Sequence, residues 1–290
     1  MKTLKRSGVV LSFVAPALLL YCVFMIYPMI EAIRLSLFDW DGSSPDMNFI
    51  GLENYIETFQ DKIFGLALKH NLLWVVLDLI IIVIPVLILA VLVGKVNKGK
   101  LFFRAGYYLP AVLSLPVVGV LWAKIYDPNI GPINIFLKAI GLESISQIWL
   151  GNPWTVLPAI IIAGAWSGYG LYFILFMAGL QSIDYSLYEA ADIDGAGPVR
   201  KFWSITIPSL KNTMNIVISM VIIWGLKSFA LIWTLTQGGP FYKSEVVATY
   251  VYKSAFAMYD VSYGAAGSVI LAIIVIVLTV LFNSLREGRD

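Results

Sequence analysis

The segment YSLYEAADIDGAGPVRKFWSITIPSLK, residues 185–211, is a charged and glycine-containing stretch between two long apolar runs. Alanine and glutamate recur at helical spacing over 187–193, and Asp194-Gly195 is typical of a helix end. A proline then follows in the position expected for the first turn of a second short helix, over 198–203. The segment therefore predicts a helix-turn-helix at a membrane surface. One side of it carries residues small enough to lie close to another protein: Ala190, Ala191, Ala196 and Gly197.

The composition of the whole chain indicates a membrane protein. Of its 290 residues, 59% are hydrophobic and 13% are charged, and the mean hydropathy is +0.84, which is far from the balance of soluble domains. The single cysteine, Cys22, lies in an apolar run, which argues against a disulfide framework and a metal cluster. We expect an all-α integral membrane protein with one transmembrane domain over residues 1–290.

Six apolar stretches are long enough to cross a ~30 Å hydrocarbon core as helices, because lipid offers an open backbone no hydrogen-bond partner. The predicted spans cover residues 9–30, 71–94, 105–126, 156–180, 212–236 and 262–284. Between the first two spans, a short amphipathic helix is predicted near 55–66. Prolines within the spans are expected to kink or interrupt the helices: Pro16, Pro28, Pro85, Pro110, Pro116 and Pro158.

Lysine and arginine are concentrated on one side of the predicted membrane. That side carries Lys2, Lys5, Arg6, Lys95, Lys98, Lys100, Arg104, Arg200, Lys201, Lys211, Arg286 and Arg289. Loops with such an excess of basic residues lie in the cytoplasm. Both termini, and the loop over 182–211, are therefore predicted to be cytoplasmic.

Three motifs occur in one register along the chain. The first is Glu189-Ala190-Ala191, with Gly195 after three residues and Ile205-Thr206-Ile207-Pro208 after nine more. The others are FIGLENY over 49–55 and TQGGP over 236–240. Together they resemble the membrane subunits of binding-protein-dependent bacterial ABC sugar importers, of the maltose and glycerol-phosphate type. In the cytoplasmic loop of that family a leucine stands where this chain has Ile207, a mild apolar change.

The resemblance implies that the loop over 182–211 couples this chain to ATP hydrolysis on two separate ATP-binding subunits. It assigns the coupling to Glu189, Ala190, Ala191, Asp194, Gly195, Ala196, Ile205 and Pro208. Other implied partners are a second, homologous permease in a heterodimer and an extracytoplasmic solute-binding protein. ATP and Mg²⁺ would be held by the ATP-binding subunits, so we expect no cofactor, metal or enzymatic activity in this chain. The implied location is the bacterial cytoplasmic (inner) membrane, crossed several times.

Two features that could indicate other chemistry do not support it. Gly94–Lys100 has the glycine and lysine spacing of a phosphate-binding loop, but Leu101 stands where a serine or threonine would bind Mg²⁺. His70 is the only histidine and has no nearby partner of the right kind, so neither a metal site nor a Ser-His-Asp hydrolase is supported. We therefore expect no catalytic residues.

The fifth predicted span carries aromatic and polar residues that could line a substrate pathway. Aromatic rings stack on the apolar faces of sugars, and polar groups bond to their hydroxyls. The candidate residues are Trp224, Lys227, Ser228, Phe229 and Trp233. A lipid-facing position is the alternative for each aromatic residue. A sugar or oligosaccharide is expected mainly from the resemblance, and two alternatives stay open: a phosphorylated solute such as glycerol 3-phosphate, and an ion-coupled secondary carrier.

Two loops on the predicted outer side are candidates for docking the solute-binding protein. Glycines just after the fifth span permit a sharp turn, and a second polar turn follows the third span. The candidate residues are Asp127, Asn129, Gly238, Gly239 and Pro240.

Asp78 and Lys227 are ionisable residues predicted at similar depth in the second and fifth spans. A charge at membrane depth needs water or a partner. Two alternatives therefore stay open: the two residues pair directly, or each faces an aqueous cavity or a helix terminus.

Overall fold

The computed structural model describes residues 13–94, 96 and 99–287, and these are mostly helical. Residues 9–12 of the first predicted span lie outside the described residues, as do six of the predicted cytoplasmic cations: Lys2, Lys5, Arg6, Lys95, Lys98 and Arg289. In chain order the helices are α1 (Phe13–Leu35), α2 (Glu53–Gln60), α3 (Lys62–Gly94), α4 (Lys100–Tyr108), α5 (Leu115–Ile125), α6 (Pro132–Ala139), α7 (Val156–Gln181), α8 (Ser186–Ile193), α9 (Pro198–Ser209), α10 (Lys211–Leu226), α11 (Ala230–Leu235), α12 (Val247–Tyr252) and α13 (Val261–Glu287).

Several short segments complete the secondary structure. The two strands β1 (Phe38–Asp39) and β2 (Asn48–Phe49) pair antiparallel. Wider, π-helical turns lie at Cys22–Ile26, Leu79–Val83, Phe202–Thr206 and Lys253–Ala257. Tighter 3₁₀ turns lie at Leu109–Val112 and Glu143–Ile145.

By length and composition, four helices of the described residues can each cross a membrane, namely α1, α3, α7 and α13. Two further spans result if the bent pairs are each counted as one, namely α4 with α5 and α9 with α10. The fourth predicted span coincides with α7, and the sixth with most of α13. The first continues to Leu35, and α3 begins nine residues before the predicted second span, at Lys62.

The third predicted span, 105–126, is not one straight helix. Leu101–Val112 and Leu115–Ile125 meet at an angle of 98°. The cause is a pair of prolines: Pro110 lies in the 3₁₀ turn that ends the first part, and Pro116 opens the second part behind an extended Ser114. Proline has no backbone N–H to continue a helix, so each part begins anew.

The fifth predicted span, 212–236, is interrupted, because α10 ends at Leu226 and α11 begins only at Ala230. The hydroxyl of Ser228 donates a hydrogen bond to the carbonyl oxygen of Trp224, at 3.1 Å, in place of a helical backbone N–H. Lys227 is therefore not in the middle of a helix, as predicted, but at the end of one.

The chain divides into two compact units. The first holds the described residues up to Lys62 together with 250–273. Its β1–β2 pair is fixed by Asn54, whose amide donates hydrogen bonds to the carbonyl oxygens of Ser36 and Phe38. The helix predicted near 55–66 is interrupted at Asp61, which has an extended backbone and accepts a hydrogen bond from the hydroxyl of Tyr250, at 2.5 Å.

The second unit holds 63–249 and the residues from Ile274 onward, and it is built around α7. One end of α7 buries Phe173 and Phe176 against the apolar side of α3. The other end buries Ile160 in a cluster with residues of α5 and α11. Between the two clusters, Gly170 lets the backbone of α4 approach so closely that an added Cβ would lie 2.6 Å from Cα of Tyr108. At 26 residues, α7 is about 39 Å long, and its two termini lie at opposite ends of this unit.

Candidate functional site

A cavity of about 570 Å³ lies in the second unit. It forms where the break between α10 and α11 faces the bend between α4 and α5, so both helix interruptions contribute to its wall. Helices α3 and α7 complete it. Its aromatic and polar lining residues are Trp74, Asp78, Tyr108, Ser167, Tyr172, Trp224, Lys227, Ser228 and Phe229.

The carboxylate of Asp78 is the most buried charged group of this cavity. The residue is only 8% exposed, and its Oδ2 accepts a hydrogen bond from the indole Nε1 of Trp74 at 2.9 Å. Its Oδ1 has no hydrogen-bond partner among the described residues. Lys227 is exposed in the same cavity, and within the described part of the chain no ion pair joins it to Asp78. Of the two alternatives left open, direct pairing is wrong, and both residues face the cavity.

Four of the five candidate pathway residues line the cavity, namely Trp224, Lys227, Ser228 and Phe229. Trp233 lies on α11 and stacks on the ring of Phe229, with centroids 5.7 Å apart and planes at 14°. The ring of Trp224 lies 6.3 Å from that of Tyr172 on α7. The arrangement offers aromatic faces beside hydrogen-bonding groups, which is the composition of pockets for polar organic ligands.

The segment over 182–211 forms the predicted helix-turn-helix from α8 and α9. Gly195 has φ +69°, a left-handed conformation that favours glycine, and its N–H donates to the carbonyl oxygen of Asp192 at 3.0 Å. The N–H of Ala196 donates to the carbonyl oxygen of Ala191 at 2.8 Å and completes the helix end. The second helix continues past the predicted end at 203 to Ser209, because a π-helical turn carries the chain onward.

Side chains that sequence reasoning missed hold this segment together. The hydroxyls of Tyr188 and Thr206 are 2.9 Å apart and link α8 to α9. The ammonium of Lys201 pairs with the carboxylate of Asp192. The carboxylate of Asp184 accepts the N–H of Ser186, and hydrogen bonds from that residue lower the pKa of the carboxyl. The spacing of the first two pairs, 18 and 9 residues, becomes meaningful only once the turn at Gly195 is known.

The outer face of the helix-turn-helix is exposed to solvent. The most exposed apolar side chains are those of Ile193 (88%) and Val199 (72%), on either side of the turn. Of the residues assigned to coupling, Glu189, Ala190, Asp194, Gly195 and Pro208 are exposed, and Ala191, Ala196 and Ile205 are half-buried. An exposed apolar patch beside a carboxylate is typical of a protein contact surface.

The two candidate docking loops lie at the opposite end of α7. The hydroxyl of Tyr126, just before Asp127, donates to the carbonyl oxygen of Ala159 in the first turns of α7. The ammonium of Lys243 lies 5.8 Å from the ring centre of Trp154, which precedes the same helix. The two loops therefore share one end of the second unit, as the docking prediction requires.

Each of these loops has an ordered turn. Oδ1 of Asp127 accepts the backbone N–H groups of Asn129 and Ile130, at 2.9 and 3.0 Å, and these bonds lower the pKa of the carboxyl. In the other loop, the hydroxyl of Ser244 donates to the carbonyl oxygen of Gly239 at 2.5 Å. Gly238 is buried, Gly239 and Pro240 are half-buried, and Phe241 beside them is 83% exposed.

A family model for the inner membrane component of binding-protein-dependent transport systems matches residues 73–287. The chain belongs to this family. It is 38% identical to the probable ABC transporter permease YurN of Bacillus subtilis, over 96% of each chain. It is 32% identical to the diacetylchitobiose uptake permease NgcF of Streptomyces coelicolor, over 99% of this chain and 86% of that one. A solved bacterial ABC transporter that imports the acidic polysaccharide alginate shares the fold, with a TM-score of 0.85 at 24% identity, over 99% of this chain and 98% of that one.

In this ABC permease, α7 lines the cavity between Gly164 and Tyr172. The helix-turn-helix follows the C-terminal end of the same helix. The cavity residues on α3 and α7, among them Trp74 and Tyr172, were missed because they lie within uniformly apolar runs. The one available signal was Asp78, an acid in such a run, with an indole one helical turn before it. Within the described residues, no group of three or more histidine, cysteine or acidic residues could hold a metal ion.

Proposed function

We propose that this permease subunit forms part of the translocation pathway for a sugar or oligosaccharide in an ABC importer. The observation that carries the proposal is the cavity at the two helix breaks, with Trp224 and Tyr172 beside Asp78 and Lys227. Rings of this kind stack on pyranose faces, while the charged groups bond to hydroxyls. The diacetylchitobiose relative supports a saccharide substrate.

The proposed topology has six spans, with α4 and α5 counted as one bent span and α10 with α11 as the interrupted fifth span. Both termini and the helix-turn-helix would then lie in the cytoplasm, and the loops around Asp127 and Gly238 outside. The Lys and Arg distribution supports this orientation. The length of α7, about 39 Å, is sufficient for a helix between the two surfaces.

Coupling to ATP would run through the helix-turn-helix. The exposed side chains of Ile193 and Val199 would be buried in a groove of an ATP-binding subunit, with Glu189 near the first turn of α8. That subunit would bind ATP together with Mg²⁺ and hydrolyse the ATP, and the resulting movement of α8 and α9 would pass to α10. The cavity would thereby alternate between the two sides of the membrane.

Two further partners complete the proposed assembly. A second, homologous permease would form a heterodimer with this chain. An extracytoplasmic solute-binding protein would dock on the loops that expose Phe241 and Trp154, at 83% and 85%. Aromatic side chains are enriched at such interfaces, which favours this end of the molecule.

The two alternative functions, an ion-coupled carrier and a permease for a phosphorylated solute, require different partners or ligands. An ion-coupled carrier needs no ATP-binding subunit and belongs to a different transport class from the family of this chain. A phosphorylated solute would bring its negative charge close to Asp78.

The first experiment is affinity purification of the tagged chain from its own membranes, followed by mass spectrometry. We expect an ATP-binding subunit and a second permease to copurify, and ATP-dependent uptake of a labelled saccharide by the reconstituted complex with its binding protein. Uptake driven by an ion gradient, by this chain alone, would contradict the proposal.

A further inference from the structure

The break between α10 and α11 is held by a residue from another helix. We infer that Asn71, on α3, is a positioning residue that keeps α10 from continuing and so places Phe229 in the cavity wall. That the ring of Phe229 then serves a saccharide rests on the proposed function. The position of this ring rests on the geometry alone.

The sequence around the break explains only part of it. Residues 212–236 contain no proline, the usual cause of a sharp interruption in a helix. The hydroxyl of Ser228 replaces one backbone N–H, at the carbonyl oxygen of Trp224. The next two carbonyl oxygens belong to Gly225 and Leu226, at the end of α10, and both residues are buried. Buried carbonyl groups without donors are unfavourable, so these two need donors from another part of the chain.

The side-chain amide of Asn71 supplies both donors. In a continuous helix, the N–H groups of Phe229 and Ala230 would donate to the carbonyl oxygens of residues 225 and 226. Here Nδ2 of Asn71 donates to these two oxygens, at 3.0 Å each, and the residue is 0% exposed. The amide thus stands where the next helical turn would otherwise begin.

The orientation of this amide is fixed by a third hydrogen bond. Oδ1 of Asn71 accepts the backbone N–H of Val247, the first residue of α12, at 2.9 Å. A backbone N–H can only donate, so the amide oxygen faces Val247 and the amide nitrogen faces α10. Gly225 lets α10 approach α3 closely, because an added Cβ there would lie 2.8 Å from Cγ2 of Val75. Both donors of the amide nitrogen are therefore used at the break.

The break decides which way Phe229 faces. Trp224 and Lys227 line the cavity from the end of α10. In a continuous helix, with about 100° per residue, Phe229 would lie about 140° from Trp224 and about 160° from Lys227, away from the cavity. Instead its backbone leaves the helical region, at φ −140° and ψ −63°, and the residue lines the cavity. Its ring, stacked on that of Trp233, offers a face to a sugar under the proposed function.

The test measures which positions of α10 and the break face water in the cavity, with the permease complex in nanodiscs. Cys22 is the single cysteine of the chain, so Cys22→Ser is the background for Phe229→Cys and, separately, Trp224→Cys. A small water-soluble methanethiosulfonate labels the new thiol, and mass spectrometry follows its peptide. We expect both positions to be labelled. Addition of Asn71→Leu, similar in volume but without hydrogen bonds, should slow labelling at position 229 at least about tenfold and change that at position 224 by less than about threefold.

Thr249→Val is the matched control for loss of a buried hydrogen bond at the start of α12. The hydroxyl of Thr249 is buried and makes its two hydrogen bonds with the backbone of Val246, so both labelling rates should stay within about twofold. An unchanged rate at position 229 in Asn71→Leu, or no labelling there with Asn71 in place, would overturn the inference. Faster labelling at both positions, in Asn71→Leu and in Asn71→Ala, would also overturn it, because a residue that only stabilises the fold gives this result.

A double-mutant cycle tests the connection to transport. The probes are ¹⁴C-labelled maltose, cellobiose and diacetylchitobiose, taken up by the complete transporter in proteoliposomes. We expect Phe229→Ala and Asn71→Leu each to reduce ATP-driven uptake at least about fivefold, and the double variant to stay within about twofold of Phe229→Ala, because Asn71 acts through Phe229. Reductions that multiply in the double variant would contradict this. Wild-type uptake is measured first, so failure of the proposed function is seen there and not in the labelling, which needs no sugar.

Discussion

The hydroxyl of Tyr188 lies 2.9 Å from Oγ1 of Thr206, and this hydrogen bond joins the first helix of the coupling segment to the second. Together with the ion pair between Lys201 and Asp192, it links α8 to α9 at two points. Because α10 begins directly after α9, at Lys211, the proposed displacement of α8 by an ATP-binding subunit would be passed to the helix that ends at the cavity.

Removal of this hydrogen bond should weaken coupling. In Tyr188→Phe the side chain of Thr206 loses this partner and keeps only the longer hydrogen bond to the carbonyl oxygen of Lys201, at 3.5 Å, at a cost of about 0.5–1.5 kcal/mol. We expect the amount of sugar transported per ATP hydrolysed to fall by up to about tenfold, with normal assembly. Tyr185→Phe is the matched control, because Tyr185 is 71% exposed and its ring neighbours that of Tyr188. An unchanged ratio in Tyr188→Phe would contradict coupling through this hydrogen bond.

The turn at Gly195 should tolerate no side chain, for a reason of backbone conformation alone. A Cβ at Gly195 would meet nothing within 4 Å, but at φ +69° it costs roughly 1–2 kcal/mol. We expect Gly195→Ala, and more strongly Gly195→Val, to insert normally but to reduce copurification of the ATP-binding subunit. Gly197→Ala, also in open space but at φ −67°, should behave as wild type. Equal loss in Gly195→Ala and Gly197→Ala would point to crowding in the docked complex instead.

The contact between α4 and α7 at Gly170 should be essential for stability. An added Cβ would lie 2.6 Å from backbone atoms of Tyr107 and Tyr108, so the helices must separate. We expect Gly170→Ala to lower the free energy of unfolding by about 1–3 kcal/mol. Gly106→Ala on α4 meets nothing within 4 Å and should be neutral or stabilising. Thermal unfolding of the two variants in detergent compares them directly.

The turn at Asp127 should be insensitive to pH across the physiological range. Its pKa is lowered from 3.8 by the N–H groups of Ile130 and Asn129, so the stabilisation is present above that value. It is lost only as the pH falls through the lowered pKa. We expect the affinity for the solute-binding protein to be reduced by Asp127→Ala to the same degree at every pH between about 5 and 8. Ile130→Ala keeps its backbone N–H donor to Asp127, lies outside the candidate docking residues and is the control. Affinities follow from surface plasmon resonance.

Much of the fold could be predicted from the sequence where the pattern is local. The turn at Gly195, the proline at the start of α9 and the uniformly apolar run of α7 each depend on residues close in sequence. The interruptions of the helices were harder to predict. Prolines were expected to kink the third span, but a 98° bend follows from two of them acting in sequence. The end of α10 at Leu226 depends on a side-chain bond of Ser228 that no hydropathy pattern reports.

The candidate site was predicted in the same uneven way. Four residues at the α10–α11 break were identified because aromatic and polar residues stand out in an apolar span. Trp74 and Tyr172 were not, because residues of their kind also form the ordinary core of a helical bundle, and only packing distinguishes the two uses. The pairing of Asp78 with Lys227 was considered from depth alone. Rotation about the helix axes, which the sequence does not give, turns both residues toward one cavity.

The most direct measurement of the proposed assembly is site-specific photo-crosslinking at two equally exposed residues of the complete transporter. Ile193, 88% exposed, lies at the helix-turn-helix, and Phe241, 83% exposed, lies at the opposite end of the second unit. We expect a crosslinker at Ile193 to capture the ATP-binding subunit and one at Phe241 to capture the solute-binding protein. Capture of the ATP-binding subunit from Phe241, or of the solute-binding protein from Ile193, would contradict both the orientation in the membrane and the coupling through Tyr188 and Thr206.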